Sequence, residues 1–134
     1  MYSRILVPLD VSPVDEAILA HVAELAKVHH SEIALLRVAH YHTRDAKRHE
    51  TEEAEAYLAK AAERLQAQGL AVQTLVGHGE PAQVILEQAE ALGCDLIAMS
   101  THGHGFAYDL LFGSVADQVR HRSTLPVLLL RGER

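Results

Sequence analysis

The chain has 134 residues, 49% hydrophobic and 22% charged, a composition that excludes a disordered or fibrous protein and suits one globular domain. Eighteen acidic residues outweigh twelve basic ones for a formal net charge of −6, so the overall field repels phosphate backbones and argues against nucleic-acid binding. The one cysteine, Cys94, has no partner for an internal disulfide, and no apolar run approaches the ~20 residues that span a bilayer, so a cytoplasmic, membrane-free domain over residues 1–134 is expected.

The first apolar run is ILVPLD, residues 5–10. Ser12 is a candidate N-cap, Pro13 suits the first helical position and Asp15 falls in the first turn, which predicts a helix over residues 13–28. Val14, Ile18, Val22 and Leu25 make one stripe along it. A second run, IALLRV at residues 33–38, is followed by a mixed-charge loop and a helix over residues 52–68. That helix carries Ala54, Leu58, Ala61 and Leu65 at helical spacing and stops at Gly69. LAVQTLV, residues 70–76, is the third run. Glu80-Pro81 then opens a helix with Ile85, Ala89 and Leu92 on one side and Gly93 at its end. The fourth run starts at Leu96 and ends at Met99, a short last helix is expected over residues 113–121, and PVLLL opens at Pro126 and closes at Leu130.

The order is β-α-β-α-β-α-β-α-β. Near-continuous apolar strands alternating with helices indicate a parallel sheet covered on both faces. Right-handed crossovers put every strand's carboxyl end on one rim, where the connecting loops carry function. Two connections are expected to be long, residues 39–50 and 100–112, and loops of that length in a compact domain are commonly functional.

The most informative segment is MSTHGHGFAYDLLFGSV, residues 99–115. Glycines after a buried strand let backbone N–H groups approach an anion, and the start of the last helix would face the same place. A tight turn followed by a helix cap is the plainer reading of the same residues. Neither a Walker A sequence nor a dinucleotide fingerprint is present, since no Gly-Lys-Ser/Thr occurs and Tyr108 holds the position of a third glycine.

Gly103, nine residues and then Gly113-Ser114 resembles the ATP-binding signature of the universal stress protein family, Gly-x2-Gly-x9-Gly-Ser/Thr. The ILVPLD opening with Ser12 behind it, LLRV in the second strand and the terminal PVLLLR extend the likeness from residue 5 to residue 131. The resemblance implies an open five-stranded parallel α/β sheet of order 3-2-1-4-5, Rossmann-like and similar to the adenine nucleotide alpha hydrolase fold. It implies a homodimer through the last strand, Pro126 to Leu130. It implies that Pro8, Leu9 and Asp10 line the adenosine side and that Val38 meets adenine through its backbone. Met99, Ser100 and Gly103 would border ribose and phosphates, with Gly113, Ser114 and Val115 closing on the phosphates. Ser100 departs from the pattern, standing where the signature has its first glycine; its side chain adds a hydroxyl but also bulk where the family has bare backbone.

Asp10 also reads as an acid interacting with the first-turn N–H groups of the helix after it, and Ser114 as an N-cap, a role compatible with a phosphate contact. Phe106 and Tyr108 either shield a nucleotide or pack on the rim. Of the ten histidines, His21, His29, His30, His49 and His121 read as solvated helix residues and His78 as an exposed turn residue. His40, His42, His102 and His104 flank the rim, where one from each pair would meet over the cleft as a phosphate contact or a zinc or nickel site; the spacing carries no metal signature. Cys94 falls on the opposite rim, no nucleophile elbow surrounds Ser114, and no carboxylate pair is placed for hydrolysis. The expectation is a non-enzymatic, ATP- and Mg²⁺-binding regulatory stress-response module. A nucleotide-free docking module and a slow ATPase are the alternatives.

Overall fold

Five apolar runs form parallel strands and the segments between them form helices: β1 (Arg4–Pro8), α1 (Asp15–His29), β2 (Glu32–Ala39), α2 (Arg44–Gln66), β3 (Ala71–His78), α3 (Pro81–Ala91), β4 (Leu96–His102), α4 (Asp109–Arg122) and β5 (Val127–Gly132). The structure, a computed structural model, describes residues 1–39, 44–102 and 109–132, with the main chain alone at 44–47, 102, 109–113 and 132. The strand order is β3-β2-β1-β4-β5, as the resemblance implied.

Alternation along the strands divides the core between two faces. Ile5, Val7, Leu9, Ile33 and Leu35 pack with Ile18 and Val22 of α1 and Leu58 and Leu65 of α2. Leu6, Leu36, Val38, Ile97 and Met99 pack with Ile85 of α3 and Val115 and Val119 of α4. Among the described residues no helix is long and apolar enough to cross a membrane.

Several boundaries differ from the sequence expectation. α2 begins at Arg44, so residues 44–50 of the expected long loop are helical. Five of its seven residues, Arg44, Ala46, Lys47, Arg48 and Glu50, are good helix formers, and His49 Nε2 lies 2.7 Å from Glu53 Oε1 at i,i+4 spacing, but its first turns carry no apolar stripe to reveal the helix. β3 runs on to His78, which pairs with Ala39. His78 is half-buried, its Nε2 3.0 Å from Thr51 Oγ1, and is not the exposed turn residue expected.

β4 continues through His102, so Ser100 sits inside a strand. α4 starts at Asp109, which places Gly113 and Ser114 inside the helix and rules out Ser114 as its N-cap. Asp109, Leu110, Leu111 and Phe112 can all be helical, and nothing in that run breaks the turn before Gly113. Glu80 caps α3 as expected, its carboxylate accepting the Gln83 N–H at 2.6 Å.

Candidate functional site

The strand order reverses direction between β1 and β4, which makes the carboxyl ends of these two strands the topological switch point of the sheet. Their ladder pairs Ile5 with Leu96 and Leu6 with Ile97. The flanking β2–β3 pairing, by contrast, is continuous from Glu32–Ala71 to Ala39–His78. Past Leu6 and Ile97 the two central strands are no longer laddered, and Pro8, lacking an N–H, cannot extend the pairing. The rim is thus open at the switch point.

The chain leaving β1 is held in place from several directions. Leu9 N–H donates to Leu36 O at 2.8 Å, extending the contact with β2. From β4, the buried Ser100 hydroxyl donates to Val14 O at 3.3 Å. The Asp15 carboxylate reaches back to accept the N–H groups of Asp10 at 3.0 Å, Val11 at 2.8 Å and Ser12 at 3.4 Å. Tyr57 of α2 donates its phenol to the same carboxylate at 2.6 Å.

This corrects the expected helix start. Val14, not Ser12, occupies the cap position, with no side-chain cap bond, and the acid of the first turn satisfies the loop's donors instead. The Ser12 hydroxyl is shielded from solvent and has no partner among the described residues.

Asp15 is 1% exposed. Burial raises its pKa, opposed by the Tyr57 hydrogen bond and then by the three backbone N–H groups. All four partners are donors, so the carboxyl acts as an acceptor only, the behaviour of its ionised form. Burial and the neighbouring Asp15 also push the Tyr57 phenol well above its ordinary range. Val11, at the tip of the loop, has φ +59°, a left-handed conformation that is costly for a β-branched residue.

The residues singled out from sequence fall into three groups. Pro8, Leu9, Asp10, Val38, Met99 and Ser100 come together near the carboxyl ends of β1, β2 and β4. Leu9, Val38 and Met99 bury their side chains in the core, so they can offer a ligand main-chain groups alone. Val115 packs into the core beneath α4, while Ser114 is exposed and its Oγ accepts from Gln118 Nε2 at 3.4 Å. Gly113 lies within α4. Gly103, Phe106, Tyr108, His40, His42 and His104 lie outside the described residues, and His102 closes β4 with its main chain alone.

Among the described residues no group of three or more His, Cys, Asp or Glu side chains gathers to hold a metal. Cys94 is buried before β4, and desolvation pushes its thiol up to about 11. The sequence reading missed Asp15 as the organiser of the loop and missed Tyr57 altogether. It also missed a hollow of about 270 Å³ between the loop after β1, the end of β2 and α2, lined by Val11, Arg37, Ala39, Glu50, Glu53 and Ala54. Only the acid in the first turn of α1 was visible in the sequence as a signal for any of these.

Comparison with known proteins places this architecture among relatives. A profile of the Universal stress protein family matches residues 1–131. Universal stress protein Sll1654 of Synechocystis is 33% identical over 97% of this chain and 86% of its own length. The solved structure of MJ0577, a universal stress protein of Methanocaldococcus jannaschii, superposes with a TM-score of 0.87 at 30% identity, covering 100% of this chain and 99% of that one. Two solved relatives contain nucleotides. A universal stress protein in complex with cAMP has a TM-score of 0.80 at 20% identity, covering 98% of this chain and 99% of its own. One from Archaeoglobus fulgidus in complex with dAMP has a TM-score of 0.74 at 22% identity, covering 96% of this chain and 97% of its own.

Proposed function

The chain belongs to the universal stress protein family, and on that premise we propose that it binds ATP or a related adenine nucleotide at the switch point and acts as a cytoplasmic regulatory stress-response module. The observation that carries this reading is the opening of the β1–β4 ladder at the rim where Pro8, Leu9, Asp10, Met99 and Ser100 converge. Two further features support it. Relatives of the same fold have been solved with cAMP and with dAMP. The Ser12 hydroxyl, buried without a partner among the described residues, is a polar group beside the rim that a ligand can satisfy.

In this proposal Pro8, Leu9 and Asp10 receive the adenosine, Val38 offers its backbone to adenine, and Met99, Ser100 and Gly103 border the ribose and phosphates. Gly113, Ser114 and Val115 flank the phosphates, with Ser114 contributing its exposed hydroxyl from within α4. Orphan N–H groups belong to the first turn of α4, beginning at Asp109, and phosphate contact through a helix terminus falls there. With a net charge of −6, the protein has no excess of basic residues to neutralise phosphates. Mg²⁺ would arrive on the nucleotide, held by phosphate oxygens and its own waters. The proposal assigns no catalytic residue, and any ATP hydrolysis is expected to be slow.

The assembly proposed is a homodimer through β5. Val127, Leu128, Leu129 and Leu130 are each partly exposed on a terminal strand whose partner in the sheet is β4 alone, an edge that gains from being covered.

Denaturing the purified protein and assaying for adenine nucleotide, followed by calorimetric titration of Mg-ATP into wild type and Gly113→Val, tests the reading. Released nucleotide or saturable heat that weakens in Gly113→Val is expected. No bound nucleotide and no heat at millimolar ATP would replace this reading with a nucleotide-free docking module.

A further inference from the structure

The β1 rim has an unusual donor balance. From Pro8 to Pro13 every backbone N–H is either absent or already used: the two prolines have none, Leu9 donates to Leu36 O, and Asp10, Val11 and Ser12 all donate to the Asp15 carboxylate. Successive N–H groups around one anion form the kind of nest that elsewhere binds phosphate, and here the chain's own carboxylate fills it. Tyr57 holds that carboxylate from α2. The left-handed Val11, whose N–H makes the 2.8 Å bond, is the backbone turn that aims these donors inward. What the backbone of this segment can still offer is therefore carbonyl oxygens, beside the Ser12 hydroxyl, which can accept or donate.

We propose that Asp15, anchored by Tyr57, is a positioning residue that makes the β1 rim a hydrogen-bond acceptor surface, so that a bound nucleotide places its hydroxyl- and amino-bearing adenosine there and its phosphates toward β4 and α4. The inference rests on the nucleotide reading above. Its physical basis is independent of the glycine signature: an anion brought to the β1 rim meets oxygen atoms and a buried negative charge, whereas a ribose hydroxyl or an exocyclic amine meets acceptors. Neither Asp15 nor Tyr57 needs to touch the ligand.

The test separates the two ends of the nucleotide. Adenosine and inorganic tripolyphosphate are titrated separately into the wild-type protein while the backbone amides of Asp10, Val11 and Ser12 are followed by NMR. Adenosine is expected to shift these amides and tripolyphosphate to leave them unmoved. Calorimetry is then repeated on Asp15→Asn and Tyr57→Phe, each checked for native circular dichroism. Asp15→Asn is expected to weaken adenosine about tenfold and Tyr57→Phe about threefold, with tripolyphosphate affinity within about twofold of wild type in both. Equal losses for both ligands would mean a merely structural role and overturn the proposal. Tripolyphosphate shifts at Val11 would overturn it in the wild type alone, even if neither variant folds. A wild type that binds adenosine and ATP while both folded variants bind adenosine unchanged refutes the positioning role and spares the nucleotide reading; a wild type that binds neither ligand refutes both.

Discussion

Replacing Ser100 by glycine restores the residue that the family signature carries at this position, and the structure says what should follow. Ser100 is 1% exposed, lies within β4 opposite Leu130, and donates its hydroxyl to Val14 O at 3.3 Å. A neutral bond of that length contributes about 0.5–1 kcal/mol, near the lower end of the usual range. A glycine inside a strand costs a further ~0.5–1 kcal/mol through the entropy of the unfolded chain. The two losses together destabilise Ser100→Gly by about 1–2 kcal/mol, a fall in Tm of about 3–8 °C for a domain of this size.

Nucleotide affinity should change little. The hydroxyl is committed to the start of α1, so its removal is expected to alter the Kd for Mg-ATP by less than about threefold, or about 0.65 kcal/mol. Urea unfolding and calorimetry measure the two quantities, and Ser100→Ala, which keeps Cβ and removes only the hydroxyl, isolates the hydrogen bond. A tenfold or greater gain in affinity for Ser100→Gly, about 1.4 kcal/mol, would refute this reasoning, because it would mean that the side chain obstructs the ligand. Unchanged stability in both variants would remove the bond to Val14 as a tie between β4 and the β1 loop.

Three further outcomes are expected. A Cβ at Gly77 would lie 2.6 Å from Val84 Cγ1, so Gly77→Ala should lose about 1–3 kcal/mol in thermal or urea unfolding; adding Val84→Ala should recover part of that loss, and strictly additive costs would refute the clash. Cys94, with its thiol pushed up to about 11 by burial, should be about 0.1% thiolate at pH 8, and its reaction with a disulfide reagent should be at least ~100-fold slower in the native protein than in denaturant; equal rates would contradict the burial. Burial works to raise the Asp95 pKa, but the N–H groups of Ser3 and Arg4 hold it below the usual carboxylate value of 3.8, so its folded value lies under its unfolded one. Its stabilisation is then present above the unfolded pKa and lost as pH falls through the folded value. Melting curves of wild type and Asp95→Asn should differ at neutral pH and converge in acid, whereas a gap that persists in acid would assign it to something other than the charge.

Much of the rim was legible before any coordinates, because strand ends and glycines are local features. ILVPLD, LLRV and PVLLL read correctly as strands, and Glu80 and Gly93 marked the limits of α3, with Gly93 at φ +67°. The two late helix starts have different causes. The first turns of α2 carry no apolar stripe, so hydrophobic spacing began that helix late; α4 began four residues late because Gly113-Ser114 read as a helix start, although Phe112, Val115, Ala116 and Val119 stand at helical spacing across it. Ser114 thereby changed from a cap to an exposed residue inside α4; separately, β3 runs two residues past the apolar run, which turns His78 from a turn residue into a paired strand residue bonded to α2.

By itself the sequence determined the alternation of apolar strands and helices, the parallel class of the sheet and the rim on which chemistry must lie, because these follow from burial patterns within short windows. The order of the strands and the identity of the glycine segment came from resemblance to a family. Tertiary structure alone decided that Asp15 serves the loop before it, that Tyr57, 42 residues away, holds that carboxylate, and that the Ser100 hydroxyl crosses 86 residues to Val14. Such partners depend on strand register and on how each helix is set against the sheet, and no local pattern of residue types encodes the match between two side chains so far apart in the chain.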